Sequence, residues 1–125
     1  MNASKRIQTW LTRGFRIGDL EKDMLDRGFV GNGCGCGGFS HFITLVVMYI
    51  FRIRLKVSCW IHDAGYSVSR SAKSDDHKNR VDTDFQHNMI VEMTEQGVKA
   101  KLAKWIAVRF HAAVLIKGGS AYWKE

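Results

Sequence analysis

The chain has 125 residues, 46% of them hydrophobic and 25% charged, with a formal charge of +7 at pH 7. That length suits one domain with one main core, and the composition excludes fibrous and wholly disordered classes. The positive surplus is gathered at the ends, since residues 1 to 16 and 98 to 124 hold ten basic residues and no acidic ones, so an anionic partner is expected beyond simple solubility.

Proline is absent, where average usage would give about six, so nothing of that kind interrupts long helices. Ser4 is placed to cap a short first helix in which Ile7, Trp10 and Leu11 share a face and which ends near Gly14. A second short helix is predicted from Asp19. Leu20, Met24 and Leu25 form its stripe, Asp19, Glu21 and Asp23 sit at its positive end, and Gly28 suits the left-handed position after its last turn.

Residues Phe29 to Gly38 crowd five glycines into a short span and read as a loop, exposed or cradling a ligand. The apolar run from Phe42 to Phe51 is too short for a membrane-spanning helix, which needs about 20 residues; it reads as core or as an interfacial segment. From Arg52 to Val57 the polarity alternates with period two, a strand signal set among helical neighbours, and the segment stays open between the two.

Ser58 to Tyr66 is apolar on one side. It leads into a polar connection, Ser67 to Lys78, at whose end Asp75 or Asp76 would cap the next helix. There Val81, Phe85, Met89 and Met93 make an apolar stripe with Asp82 beside it. Gly97 breaks the chain, and Val98, Leu102, Trp105, Ile106, Phe110, Ala113 and Val114 then give an amphipathic helix running to about Lys117, ended by Gly118 and Gly119.

Three cysteines, two of them separated by a single residue as Cys34 and Cys36, exclude a multi-disulfide secreted framework and suggest a reducing compartment. The basic start is followed by no apolar stretch and no cleavage pattern, so no secretory signal is expected. That leaves a cytoplasmic or virion-associated setting as the expectation.

The chemistry is concentrated in Cys59-Trp60-Ile61-His62-Asp63-Ala64-Gly65-Tyr66 and Arg80-Val81-Asp82-Thr83-Asp84-Phe85. On a helix, neighbours point about 100° apart, so His62 and Asp63 can serve different partners. Cys59, His62 and Tyr66 share one patch. If the following helix packs antiparallel, the Asp82 carboxylate can accept a hydrogen bond from His62 and leave the other ring nitrogen as a base.

These residues resemble the phospholipase A2 family. Its signature has a cysteine three residues before a His-Asp pair and a tyrosine four after the histidine, matched by Cys59, His62, Asp63 and Tyr66. Asp82, with Phe85 three and Met89 seven residues on, is similar to the following helix of the small, cysteine-poor bacterial and phage members. The resemblance covers roughly Gly33 to Met89. It implies that His62 is the general base, that Asp82 and Tyr66 complete the catalytic group, and that Asp63 binds Ca²⁺ together with backbone carbonyls at Gly33, Gly35 and Gly37. The implied activity is calcium-dependent hydrolysis of phospholipid esters at a membrane surface. The interval from Cys36 to His62 exceeds the family's, and Gly65 stands where secreted members carry a cysteine.

The expected architecture is mostly α, a single phospholipase A2-like domain over residues 1 to 125. Two antiparallel helices carry the site, and the C-terminal amphipathic helix packs beside them. Three alternatives compete. A zinc site could use Cys34, Cys36, Cys59 and His62. A non-catalytic protein, for example of a virus particle, could keep the core and bind partner proteins. A nucleic-acid module is the weakest of the three, for no recognised motif supports it.

Overall fold

In the computed structural model the described residues are 3–29 and 53–123, without the side chains of 113–121. The glycine-rich segment with Gly33, Gly35 and Gly37, and the apolar run from Phe42 to Phe51, lie outside them. Every regular element among the described residues is helical: α1 Ala3–Thr12, α2 Asp19–Asp26, α3 Lys56–Tyr66, a 3-10 turn Arg70–Ala72, α4 Asp75–Glu95 and α5 Ala100–Tyr122. This is the mostly α class expected.

The central element is α4, packed against α3 on one side and α5 on another. Its stripe of Phe85, Met89 and Met93 is buried with Ile53, Leu55 and Cys59 and with Ala103, Ile106, Ala107 and Phe110 of α5. A second cluster joins Ile7, Trp10, Phe15, Ile17 and Leu25 to Ile61 and Ala64. Two buried faces on α3 thus bind the N-terminal helices to the central pair, each apolar side chain contributing about 1.5 to 3 kcal/mol when fully buried.

The helices α3 and α4 are antiparallel. Ser58 meets Glu92, His62 meets Asp82 and, at the far end, Tyr66 also meets Asp82. Gly65 lies where the two approach, and a Cβ there would stand 2.7 Å from both γ carbons of Val81. Only glycine lets the backbone come this close.

A polar ladder on α4 fixes the segments that feed the core. Asn88, Glu92 and Gln96 recur every four residues, so they share a face. The Asn88 amide brackets Arg16, accepting from its N–H at 2.7 Å and donating to its carbonyl at 2.9 Å. Glu92 accepts from Val57 N–H at 3.0 Å, Ser58 N–H at 2.9 Å and the Ser58 hydroxyl at 2.7 Å. It thereby does for α3 what a capping side chain does for its own helix, with a full negative charge at the positive end of the dipole. Gln96 brackets Arg54 in the same manner, at 2.8 and 2.6 Å.

That last contact resolves the alternating stretch from Arg52 to Val57. Ile53 and Leu55 are buried and Arg54 is exposed, as period two demands. Yet the Arg54 backbone pairs with a side-chain amide, and α3 begins at Lys56. The alternation marks a segment threaded across the core, with no strand among the described residues.

Several boundaries differ from expectation. Ser4 lies inside α1 instead of capping it. Ser74, not Asp75 or Asp76, caps α4, its hydroxyl accepting from His77 N–H at 3.1 Å; both aspartates fall in the first turn, where their charge suits the dipole. Gly28 and Gly97 do take positive φ, +88° and +90°, and end their segments as predicted. Gly118 and Gly119 do not stop the last helix, which runs to Tyr122. Each glycine costs about 1 kcal/mol in a helix, but Tyr122 is wholly buried beside Tyr66 and Val81, and that anchorage offsets the loss. Trp105, placed in the apolar stripe by its spacing, is 52% exposed, while Ala103 and Ala107 face the core in its stead.

Candidate functional site

The middle of α3 presents His62 to α4. Its Nε2 lies 3.0 Å from Asp82 Oδ1, with His62 4% exposed and Asp82 fully buried. Because an ionised carboxylate only accepts, Nε2 carries the proton and Nδ1 is left as the acceptor. The ring is also held from the sides: Phe85 stacks on it at 4.2 Å between centroids and Tyr66 tilts over it at 4.3 Å. An imidazole fixed in one tautomer and one plane is what a general base requires.

Asp82 is the hub. Its Oδ1 also accepts from the Tyr66 hydroxyl at 2.7 Å, and its Oδ2 accepts from Lys78 Nζ at 2.7 Å, one turn earlier on α4. Burial pushes the carboxyl up, but the hydrogen bonds from His62, Lys78 and Tyr66 outweigh it and hold Asp82 below the usual carboxylate range. The group therefore stays ionised in a dry setting. The structure thus brings together three of the residues selected from sequence, His62, Tyr66 and Asp82.

Asp63 follows His62 on α3, about 100° round the helix from it, and is half-buried. The other expected calcium ligands, the carbonyls at Gly33, Gly35 and Gly37, lie outside the described residues. Among the described residues no group of three or more histidine, cysteine or acidic side chains converges as a metal site. The Asp63 carboxylate is of the hard oxygen type calcium prefers. Cys59 is disulfide-bonded, which removes its sulfur from the zinc set and departs from the reducing setting expected.

Sequence reading missed Lys78, which it placed at the end of a polar connection; its signal was the four-residue spacing to Asp82. It also missed a second buried polar group. Glu21, 2% exposed, accepts a two-oxygen contact from Arg80 at 2.7 and 2.9 Å and lies 3.5 Å from His77 Nε2, too far for a good hydrogen bond. His77 Nδ1 lies 2.6 Å from the Tyr122 hydroxyl, and Arg80 also reaches Asp84 at 2.9 Å. Burial holds the His77 imidazole below its ordinary range, against the pull of Glu21. Since Tyr122 packs edge-on to Tyr66 at 5.0 Å, this group buttresses the Asp82 hub from behind. No pattern in the sequence announces it, because its members come from three distant segments.

Comparisons with protein-family models, curated proteins and solved structures give no match for this chain.

Proposed function

We propose that this protein is a calcium-dependent phospholipase A2-like hydrolase of phospholipid ester bonds. The observation that carries the reading is the buried His62–Asp82 pair, 3.0 Å apart, with Tyr66 on the same carboxylate oxygen. Asp82 keeps the proton on Nε2, so Nδ1 takes the proton of an attacking water, and the ionised carboxylate stabilises the imidazolium that results. Tyr66 holds Asp82 in place through its hydroxyl. Asp63 and the backbone carbonyls at Gly33, Gly35 and Gly37 would hold Ca²⁺. The ion, when bound, supplies a Lewis acid for the ester carbonyl and its developing negative charge.

Fatty-acid release from mixed phospholipid vesicles, followed with and without calcium, tests this. Wild type should release fatty acid only with calcium, His62→Gln should abolish release while remaining folded, and Asp63→Asn should remove the calcium response with the activity. A folded, calcium-replete wild type that releases nothing from zwitterionic or anionic phospholipids overturns it.

One observation favours a second reading, a non-catalytic protein that binds partners, such as those of a virus particle, on the same core. Lys78 already neutralises Asp82 at 2.7 Å, so less of the carboxylate's charge is left to stabilise an imidazolium. In that reading the Asp82 hub is a structural ion pair, and Lys78→Met would change stability with no activity to restore.

A further inference from the structure

The last helix carries a face that the core does not use. Over the first half of α5, up to Ala112, the buried residues are Ala103, Ile106, Ala107 and Phe110, whereas Lys101, Lys104, Trp105, Val108, Arg109 and Ala112 are all exposed. At about 100° per residue these two sets centre on opposite sides of the helix, about 180° apart. The exposed face combines large apolar side chains with cations: Trp105 is 52% and Val108 40% exposed, and the Arg109 guanidinium lies 3.8 Å over the Trp105 ring. Trp123, just past the end of α5 at Tyr122, is also 43% exposed. The whole stretch from Val98 to Lys124 contains no acidic residue.

We propose that this face of α5 is a docking surface for an anionic lipid bilayer, lying in the plane of the headgroups. The inference rests on the lipid-surface part of the proposed function and not on turnover. Its charge complements an anionic leaflet, and tryptophan and valine supply what a bilayer accepts and a purely polar partner does not: apolar bodies that enter the headgroup boundary while the lysine and arginine stems reach outward. A second copy docked on the same face would oppose three cations to three cations. No helix among the described residues is long and apolar enough to cross a membrane, so the contact is along the surface.

The test is vesicle binding by the full chain, comparing phosphatidylcholine with phosphatidylcholine containing phosphatidylglycerol. His62→Gln serves as a parallel arm, so that hydrolysis, or its absence, leaves the reading of binding unaffected. Wild type and His62→Gln should both sediment with anionic vesicles and much less with neutral ones, and the difference should shrink as salt rises. The double variant Lys101→Gln/Lys104→Gln should bind about 25-fold more weakly, from about fivefold per lysine near a charged surface. Brominated lipid should quench tryptophan emission in wild type, and Trp105→Phe/Trp123→Phe should lose most of that quenching, since the remaining Trp10 and Trp60 pack against each other in the N-terminal cluster. Circular dichroism of these surface variants should match wild type. Equal binding to neutral and anionic vesicles, or binding and quenching undiminished in the variants, overturns the proposal. So does retention on double-stranded DNA, sensitive to the same lysines, by a protein that ignores vesicles.

Discussion

Replacing Asp82 by asparagine changes one atom at one of the most heavily committed side chains among the described residues. The carboxylate is wholly buried and accepts from His62 at 3.0 Å, Tyr66 at 2.7 Å and Lys78 at 2.7 Å. Asparagine has one acceptor oxygen. Placing that oxygen toward His62 and Tyr66 aims the amide N–H₂ at the Lys78 ammonium, donor against donor, and leaves a cation whose side chain is only 10% exposed without its partner. Removing one member of a buried pair costs about 3 to 5 kcal/mol. For a domain of this size, with total stability of about 5 to 15 kcal/mol, that is a large share. In urea unfolding followed by far-ultraviolet circular dichroism, with a slope of about 1 to 3 kcal/mol per molar, the midpoint should fall by roughly 1 to 5 M. Adding Lys78→Met removes the stranded charge, and the double variant should regain more than half of the loss, a coupling of about 2 kcal/mol between neighbouring sites. If Asp82→Asn costs under about 1 kcal/mol, or the second substitution only deepens the loss, then the hub does not hold the site as argued.

Glu92→Ala leaves two N–H groups and a hydroxyl at the start of α3 without their acceptor; at about 1 to 3 kcal/mol for each buried orphan, a loss of about 3 kcal/mol or more is expected in the same assay. Hydrogen exchange should quicken first at Val57 and Ser58. Gly65→Ala gains helix propensity but drives its methyl into the stiff Val81 side chain, so it should destabilise by about 1 to 3 kcal/mol, and Gly65→Ala/Val81→Ala should lose less than the two single changes summed. His77 sits below its ordinary range because burial disfavours its charge. The unfolded chain then binds the proton more readily, so its stability contribution is full above the unfolded pKa of about 6.5 and is lost as pH falls below it. His77→Asn should flatten that part of the stability profile below about pH 6.5, and an unchanged slope would show that His77 is not what couples folding to pH there.

Much of this molecule could be read from local chemistry. The apolar spacing of Val81, Phe85, Met89 and Met93, the absence of proline and the glycines at 28 and 97 specify helices and two of their ends, because a helix's buried stripe and left-handed terminus are properties of a few consecutive residues. The His62–Asp82 pairing was legible too. The spacing puts His62 and Tyr66 on one face, and a short connection makes the next helix return antiparallel. What only the tertiary structure decided are the contacts between segments far apart in sequence. Glu92 capping a helix that begins 36 residues earlier, Gln96 replacing a strand partner for Arg54, and Glu21 buried with Arg80 and His77 have no local signature. Lys78 belongs to both categories, since its spacing to Asp82 is local but its burial is not. Trp105 and the glycines at 118 and 119 show the same division. Periodicity sets which residues share a face, and propensity sets what a glycine costs. Which face meets the core, and whether Tyr122 is anchored firmly enough to carry the helix through, depends on what the rest of the chain packs against it.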